Sequence, residues 1–392
     1  MKNKLLKFLI NTVLVLLSVF IAYFLVEVVY SWLYVKKIIK PVETLWFHEV
    51  TDPGGNFKYD TVAGYRISQT PARYGAVLSD GTLESIGVLK GNNLGFPDKR
   101  DFEPQKNNPQ LKRIAVFGDS YTASQFTDRS WPDIAEDKIN GLAYDSVVFM
   151  NFSVDGGGLA NWHSIIRNII LGEGYQIDAV IFAVMGDDLD RKFMWKNDYR
   201  QNASDKKLAF NYLGNWQQKK AAGFEDVSEV MYMQNYLILD SVQIDAIEKG
   251  TWSYDRQREL KPYLYEALKK ALRQINFPKI FRNKQHGSTP SVFEPEQAAL
   301  IKDLSDAISE MQVPVLTLSL YTNENRCQAF AAMMHAAYLS DAGFRQSLET
   351  IEEDKIYIKN DGHWKQEGAA LYAEYIYKDI YKWMAEKRVI EQ

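Results

Sequence analysis

Three residues could do chemistry if the fold joins them: a serine, a histidine and an aspartate. Ser120 lies in "RIAVFGDSYTAS", an apolar, β-rich run over 113–117 that passes into a turn of small residues. A serine hydroxyl is a weak nucleophile until a base takes its proton. The base has to come from five histidines: His48, His163, His286, His335 and His363. His363 lies in "KNDGHWKQEG", two residues after Asp361. A short loop carrying both can present the imidazole to a serine while the carboxylate orients the ring. Alone, Asp-Gly-His reads as an ordinary turn with a surface histidine. Paired with a strand-end Gly-Asp-Ser far upstream, it reads as the acid and base of a nucleophilic site.

Composition narrows the alternatives. The chain has 392 residues, 46% hydrophobic and 24% charged, which is globular and long enough for one large domain or two ordinary ones. A net charge of −4 gives no whole-chain attraction for nucleic acid, and no nucleic-acid partner is expected. Cys327 is the only cysteine, so an intramolecular disulfide is impossible and a cysteine zinc site is not expected. The sequence holds no phosphate-binding Walker loop, no GxGxxG and no HExxH. Neither cofactor nor metal is expected.

The N-terminus reads as membrane-spanning. Phe8 to Val26 is uncharged and mostly apolar, and as a helix would cover about 28 Å, near the thickness of a bilayer core. Tyr23, Tyr30, Trp32 and Tyr34 suit an interfacial belt, with Glu27 at its edge. A cleaved signal peptide is the competing reading. The length of the run and the lack of an A-x-A-like site before Lys36 favour an uncleaved anchor over 1–40. Lys2, Lys4 and Lys7 balance Lys36, Lys37 and Lys40, so the short basic tail is what favours a cytoplasmic N-terminus and an extracytoplasmic bulk.

The elements that must position the candidates follow. Residues 41–110 read as an irregular lead-in rich in Gly, Pro, Asn and Asp. From 111, strands are expected at Arg113–Phe117, Ser146–Phe152, Asp178–Val184 and Val313–Leu318. Between the first two, Ser130 caps a helix that Pro132 opens and Gly141 closes. A second helix is expected over Leu159–Leu171. Strand and helix alternation implies a parallel sheet with helices on both faces. Residues 190–295, with Trp195, Trp216 and Trp252 and helices expected near 226–248 and 258–275, read as a helical insertion or as part of the helical layer. Helices near 295–311 and 328–350 follow, and a last one runs from about Gln366 to Lys387.

These residues resemble the SGNH (GDSL-type) hydrolases, in particular membrane-anchored bacterial members. Gly118-Asp119-Ser120 looks like the first block, Asn151 to Gly156 the second, Gln176 to Asp188 the third, and Asp361-Gly362-His363-Trp364 with Gly368 the fifth. Ala63-Gly64-Tyr65-Arg66 and Asn93-Leu94-Gly95-Phe96 resemble the family's lead-in. The resemblance covers roughly 60–190 and 310–385. It implies a three-layer, flavodoxin-like α/β/α sandwich. Ser120 would attack an acyl carbonyl, His363 act as base and then acid, and Asp361 orient His363. The backbone N–H groups of Ser120 and Gly156 would bind the oxyanion. Asp187 stands where the family has an asparagine donor, and an ionised carboxylate there would repel the oxyanion. A protonated Asp187, raised by Asp188, or a hole rebuilt with Asn151 or Asn161 are the expected ways round this.

Other residues read as structural: Asp119 as a turn stabiliser, Gly157 and Gly158 as loop formers, His335 and Trp364 as packing, and Cys327 as an incidental thiol. His163 is a lesser candidate for substrate contact. The expected function is hydrolysis of O-acyl esters, acetyl above all, on an envelope glycan or a similar ester. The alternatives are acyl transfer to a polysaccharide with a membrane acyltransferase partner, and a non-catalytic binding or assembly subunit.

Overall fold

A computed structural model describes residues 2–35, 43–52, 55–143, 146–200, 206–213, 231–232, 236–252, 292–320 and 324–391. The chain divides into two units. One contains helix α1 (Lys2–Val35); the other spans Glu43–Trp252 and Ser291–Gln392. Within α1, Asn11–Leu33 has a mean hydropathy of 2.6 and lies almost wholly exposed. Among the described residues it is the one helix long and apolar enough to cross a membrane, a character that a signal sequence shares. Inside it, Tyr23 and Ser31 both donate to the Glu27 carboxylate, one helical turn away on either side.

The larger unit starts with strands, not with the irregular lead-in that its turn residues suggested. β1 (Thr44–Glu49), β2 (Phe57–Asp60), β3 (Gly64–Ile67), β4 (Ala72–Leu78) and β5 (Leu83–Leu89) are four to seven residues long. β2 and β3 form a hairpin, and β4 pairs antiparallel with both β1 and β5. The Gly, Asp and Pro residues that looked like loop are the turns between short strands. β4 is buried over nearly its whole length, so it lacks the alternation that marks a half-exposed strand.

A parallel sheet follows. It is built from β6 (Lys112–Phe117), β7 (Val147–Asn151) and β8 (Ala179–Val184), and is completed by two strands near the C-terminus. Between β8 and those strands come β9 (Phe193–Arg200), β10 (Lys206–Leu213), β11 (Met231–Tyr232) and β12 (Tyr236–Leu239). β9 to β11 make a separate antiparallel sheet, and β12 adds to the edge of β1. The segment read as a helical insertion is therefore largely strand where it is described. Among the described residues of the helix expected near 226–248, Ser241–Glu248 is helical and Tyr236–Leu239 is strand; the helix expected over 258–275 lies outside the described residues. β13 (Val315–Ser319) and β14 (Ala337–Leu339) finish the parallel sheet, whose order is β14-β13-β8-β6-β7. Counted within that sheet the order is 2-1-3-4-5, that of flavodoxin-like doubly wound folds. The three-residue β14 interrupts the helical stretch expected over 328–350, leaving helices at Glu324–Met333 and Ala342–Leu348.

Helices cover both faces. α2 (Ser120–Ala123) is a single turn after β6. α3 (Trp131–Asn140) is capped by Ser130, whose hydroxyl accepts from the Asp133 amide, with Gly141 at its end. α4 (Leu159–Ile165) continues to Leu171 as a π-helix. Alternate strand residues feed two cores. Ala115, Phe117, Val180 and Phe182 pack with α4 and the helix Pro295–Met311, and this core is continuous with Tyr65, Tyr74 and Phe96 of the lead-in. Ile114, Val116, Ile181 and Leu316 pack under α3 and the C-terminal helix Gln366–Glu386.

Phe182 is fully buried, with its ring against Phe117, Trp162 and Phe330. Phe182→Ala is expected to cost about 3–5 kcal/mol in urea denaturation. A loss below about 1 kcal/mol would mean that this core does not hold the sheet to its helices.

Candidate active site

β6 is flanked by β7 on one side and β8 on the other, so the crevice beyond its carboxyl end is the topological switch point. Ser120 sits there, three residues past Phe117, at the first position of α2. Asp119 caps that turn by accepting from the Tyr121 amide at 3.0 Å. The turn is tied down from three sides. Trp162 Nε1 donates to the Gly118 carbonyl at 3.1 Å, the Val154 amide donates to the same oxygen, and Asn151 Nδ2 donates to the Thr122 carbonyl at 3.0 Å. A serine placed this way has little freedom to move off its line of approach.

His363 arrives on the loop before the C-terminal helix. The Ile358 amide donates to the His363 carbonyl, and the Asp361 and Gly362 amides donate to the Ile358 carbonyl, which folds the loop into a tight turn. Gly362 holds φ +100°, where a side chain would be strained. The turn aims the imidazole at the serine: His363 Nε2 lies 2.7 Å from Ser120 Oγ, and Nδ1 contacts Asp361 Oδ1. All three sequence candidates thus meet at one point.

The loop is gripped by elements that sequence reasoning did not connect to it. Tyr121 Oη donates to the Gly362 carbonyl at 2.8 Å. Glu84 of β5 accepts from the Lys359 amide and pairs with Lys365 at 3.0 Å, and Thr44 of β1 donates to the Lys359 carbonyl. Around the imidazole, Tyr121 stacks at 5.2 Å, while Phe126 and Trp46 of β1 meet it edge-on at 5.0 and 5.6 Å. Burial works against the imidazolium, but Asp361, with the charges of Asp155 and Asp119, more than offsets it. His363 is held above its ordinary value of 6.5.

A second cluster lies one residue from the serine. Arg191 Nη1 is 3.2 Å from Asp119 Oδ2, 2.7 Å from Asp188 Oδ1 and 2.9 Å from the Gly157 carbonyl, so one guanidinium joins the turns after β6, β7 and β8. Gly158 packs so close to the Asp188 carbonyl that a Cβ would lie 2.2 Å from it. Burial first, and then the Asp119 charge, push the Asp188 carboxyl well above its ordinary value.

The two aspartates after β8 have different surroundings. Asp187 is exposed, with its charge bearing on Arg326; Asp188 is fully buried. Asn151 and Asn161 are not spare donors. Asn151 binds the Thr122 carbonyl and the Ser153 amide, and Asn161 binds the Ala63 and Met194 carbonyls and the Met194 amide. Rebuilding an oxyanion hole from either would cost these bonds. Gly156 holds φ +74° in the turn after β7, the left-handed region that glycine enters without strain.

The remaining residues sort by packing. His163 is buried on α4 and pairs with Asp303, away from the serine. His335, expected to pack within a helix, is instead exposed in the turn after the Glu324–Met333 helix, at φ +52°. Trp364 packs on Tyr121, Phe344 and Tyr372. Cys327 is buried with Sγ against the Val184 carbonyl, and burial pushes its thiol up to about 12. Sequence reasoning missed Arg191, Lys196, Glu84, Trp46 and Phe126. None of them lies in a motif: strand register brings Trp46, Glu84 and Lys196 to the site, and the turns after α2 and β8 bring Phe126 and Arg191.

No family model matches the chain, and the search of curated proteins returns no relative. Among solved structures, a lipase/acylhydrolase of Enterococcus faecalis is similar at 12% identity and a TM-score of 0.32, covering 69% of this chain and 96% of its own. An esterase of Pseudoalteromonas sp. is similar at 11% identity and 0.33, covering 70% and 98%. An acetylxylan esterase of Geobacillus stearothermophilus is similar at 9% identity and 0.36, covering 69% and 94%. At these values the likeness transfers neither fold nor activity, and the site is read from its own geometry.

The state of Asp188 has a consequence for stability. A carboxyl raised on folding contributes stability below its ordinary value of 3.8, and that stability is lost as pH rises toward the folded value. Asp188→Asn supplies a neutral amide of the same shape. It is expected to be more stable than the parent at neutral pH, with a gap in Tm that widens as pH rises above about 4. A gap independent of pH would mean that Asp188 is ionised in the fold.

Proposed function

We propose that this chain is a serine hydrolase of the SGNH type that cleaves O-acyl esters. The observation that carries this reading is the 2.7 Å contact between His363 Nε2 and Ser120 Oγ, with Asp361 on the opposite ring nitrogen. In this reading His363 takes the Ser120 proton as Oγ bonds to the acyl carbon. The tetrahedral intermediate collapses as His363 returns that proton to the leaving alcohol. The freed ester oxygen departs, and the acyl group stays on Ser120. Water, deprotonated by His363, then attacks the acyl carbon; the bond from that carbon to Ser120 Oγ breaks, His363 returns the proton to Oγ, and the acid leaves. Asp361 holds the ring and stabilises the imidazolium. The N–H groups of Ser120 and Gly156 receive the developing oxyanion. The exposed Asp187 leaves the hole with two backbone donors and no side-chain amide, where each donor in such sites is worth about 3 kcal/mol.

The full-length chain in non-ionic detergent is expected to react with a fluorophosphonate probe. Ser120→Ala abolishes labelling, and His363→Ala slows it by about a thousandfold or more. Labelling that persists in folded Ser120→Ala would overturn the reading. The base must be neutral to act, so the labelling rate rises with pH through the raised value of His363.

We further place the chain in a membrane through α1, with its larger unit on the extracytoplasmic side. Its length, its hydropathy and the lysines of its first two turns support this. Alkaline carbonate should leave the full chain in the membrane pellet and release a chain lacking residues 1–40. Release of the full chain would rule out a spanning helix.

A further inference from the structure

We propose that Lys196, on β9, is a positioning residue for this site: its ion pair with Asp155 fixes the turn that carries Gly156 and balances the negative charge facing His363. The inference rests on the hydrolase reading above and extends it to a segment that no motif assigned.

Lys196 Nζ lies 2.6 Å from Asp155 Oδ2, and the lysine is 4% exposed. The ammonium sits over the faces of Phe57 and Tyr65, 4.6 and 4.9 Å from the ring centres. Removing an ammonium from water to this degree is costly unless a counter-charge and aromatic faces replace the solvent, and both are present. Asp155 is held at its main chain as well. Its amide donates to Tyr65 Oη at 3.0 Å, and Gln125 Nε2 donates to that same oxygen at 2.8 Å. The residue before Gly156 is thus fixed at both backbone and side chain, by groups from β3, β9 and the stretch after α2.

The pair also sets the field at the base. The charges bearing on His363 are Asp361, Asp155 and Asp119; those bearing on Asp155 are Lys196, His363 and Arg191. Burial works to raise the Asp155 carboxyl, and Lys196 more than offsets it, so Asp155 is ionised. A buried ion pair is poor value as a source of stability, since apolar replacements often match it. Here it stands one residue from a proposed oxyanion donor, with the charge of its carboxylate bearing on the base.

The test uses the full-length chain in non-ionic detergent with p-nitrophenyl acetate. Lys196→Met is expected to lower kcat about tenfold or more while KM changes less than about twofold. The acidic limb of kcat/KM reads the charge balance through Asp155, because without Lys196 burial raises that carboxyl toward its neutral form. Asp155→Asn moves the limb to lower pH, because the lysine charge is then unopposed. The double variant returns the limb to its parent position while kcat stays low, and Lys196→Arg keeps the parent limb. A purely structural role would leave that limb unmoved. Folded Asp155→Asn with an unmoved limb overturns the charge balance. Should Lys196→Met fail to fold, the double variant leaves no buried charge unpaired, and parent-like kcat in it overturns the positioning role. Ser120→Ala separates the two levels: undiminished turnover in it overturns the hydrolase reading, whereas lost turnover with parent-like Lys196 variants overturns this proposal alone.

Discussion

Everything at the site depends on one long-range closure, the contact of His363 with Ser120 across 243 residues of chain. A loop-borne base that far from its serine has no local reason to be there. Closure entropy grows only slowly with loop length, so the decisive cost is holding the last few residues in one geometry. Tyr121, Glu84, Lys365 and Thr44 meet that cost by gripping the loop at main chain and side chain. The proposed chemistry is as precise as those grips.

The small strands before and after the parallel sheet take on a role from this. β1 and β5 reach the histidine loop through Thr44, Trp46 and Glu84, while β3 and β9 reach the Gly156 turn through Tyr65 and Lys196. The parallel sheet supplies the floor on which the turns stand, and the antiparallel strands brace two of those turns from the side. Rigid supporting elements of this kind hold a reacting constellation better than loops that support themselves.

Charge is concentrated about the serine. Asp119, Asp155, Asp188 and Asp361 all lie close by, with Arg191 and Lys196 set among them. Such crowding would be unstable if every carboxylate were ionised without a partner. The structure resolves it by different means. Asp155 has a lysine, Asp361 has the imidazole, and Asp188 is raised by burial and by Asp119, with Arg191 set between the two carboxyls. The surplus of negative charge that remains favours an imidazolium, the state His363 must pass through if it is to serve as base.

The sequence by itself determined four of the five strands of the parallel sheet and the three residues that meet beyond the carboxyl end of β6. Each rests on local information: apolar runs of strand length, Ser130 and Gly141 as helix caps, and an Asp-Gly-His turn whose short reach couples acid to base. The apolar helix was legible for the same reason, since composition and length alone mark it. What only tertiary structure decided was which of these residues have spare valences. Asn151 and Asn161 looked available as donors until their partners were seen to be backbone groups of distant loops. Asp187 and Asp188 are adjacent and chemically identical in sequence, yet one faces solvent and the other a second carboxylate. The strands of 43–89 were hidden because each is only four to seven residues long between turn residues, and the longest buried one, β4, carries no alternation to read. Lys196 was unreadable for a related reason. A lysine is charged and solvated in nearly every context, and only the register of β9 against β10, with the strand packed beside β2 and β3, turns this one inward beneath the Gly156 turn.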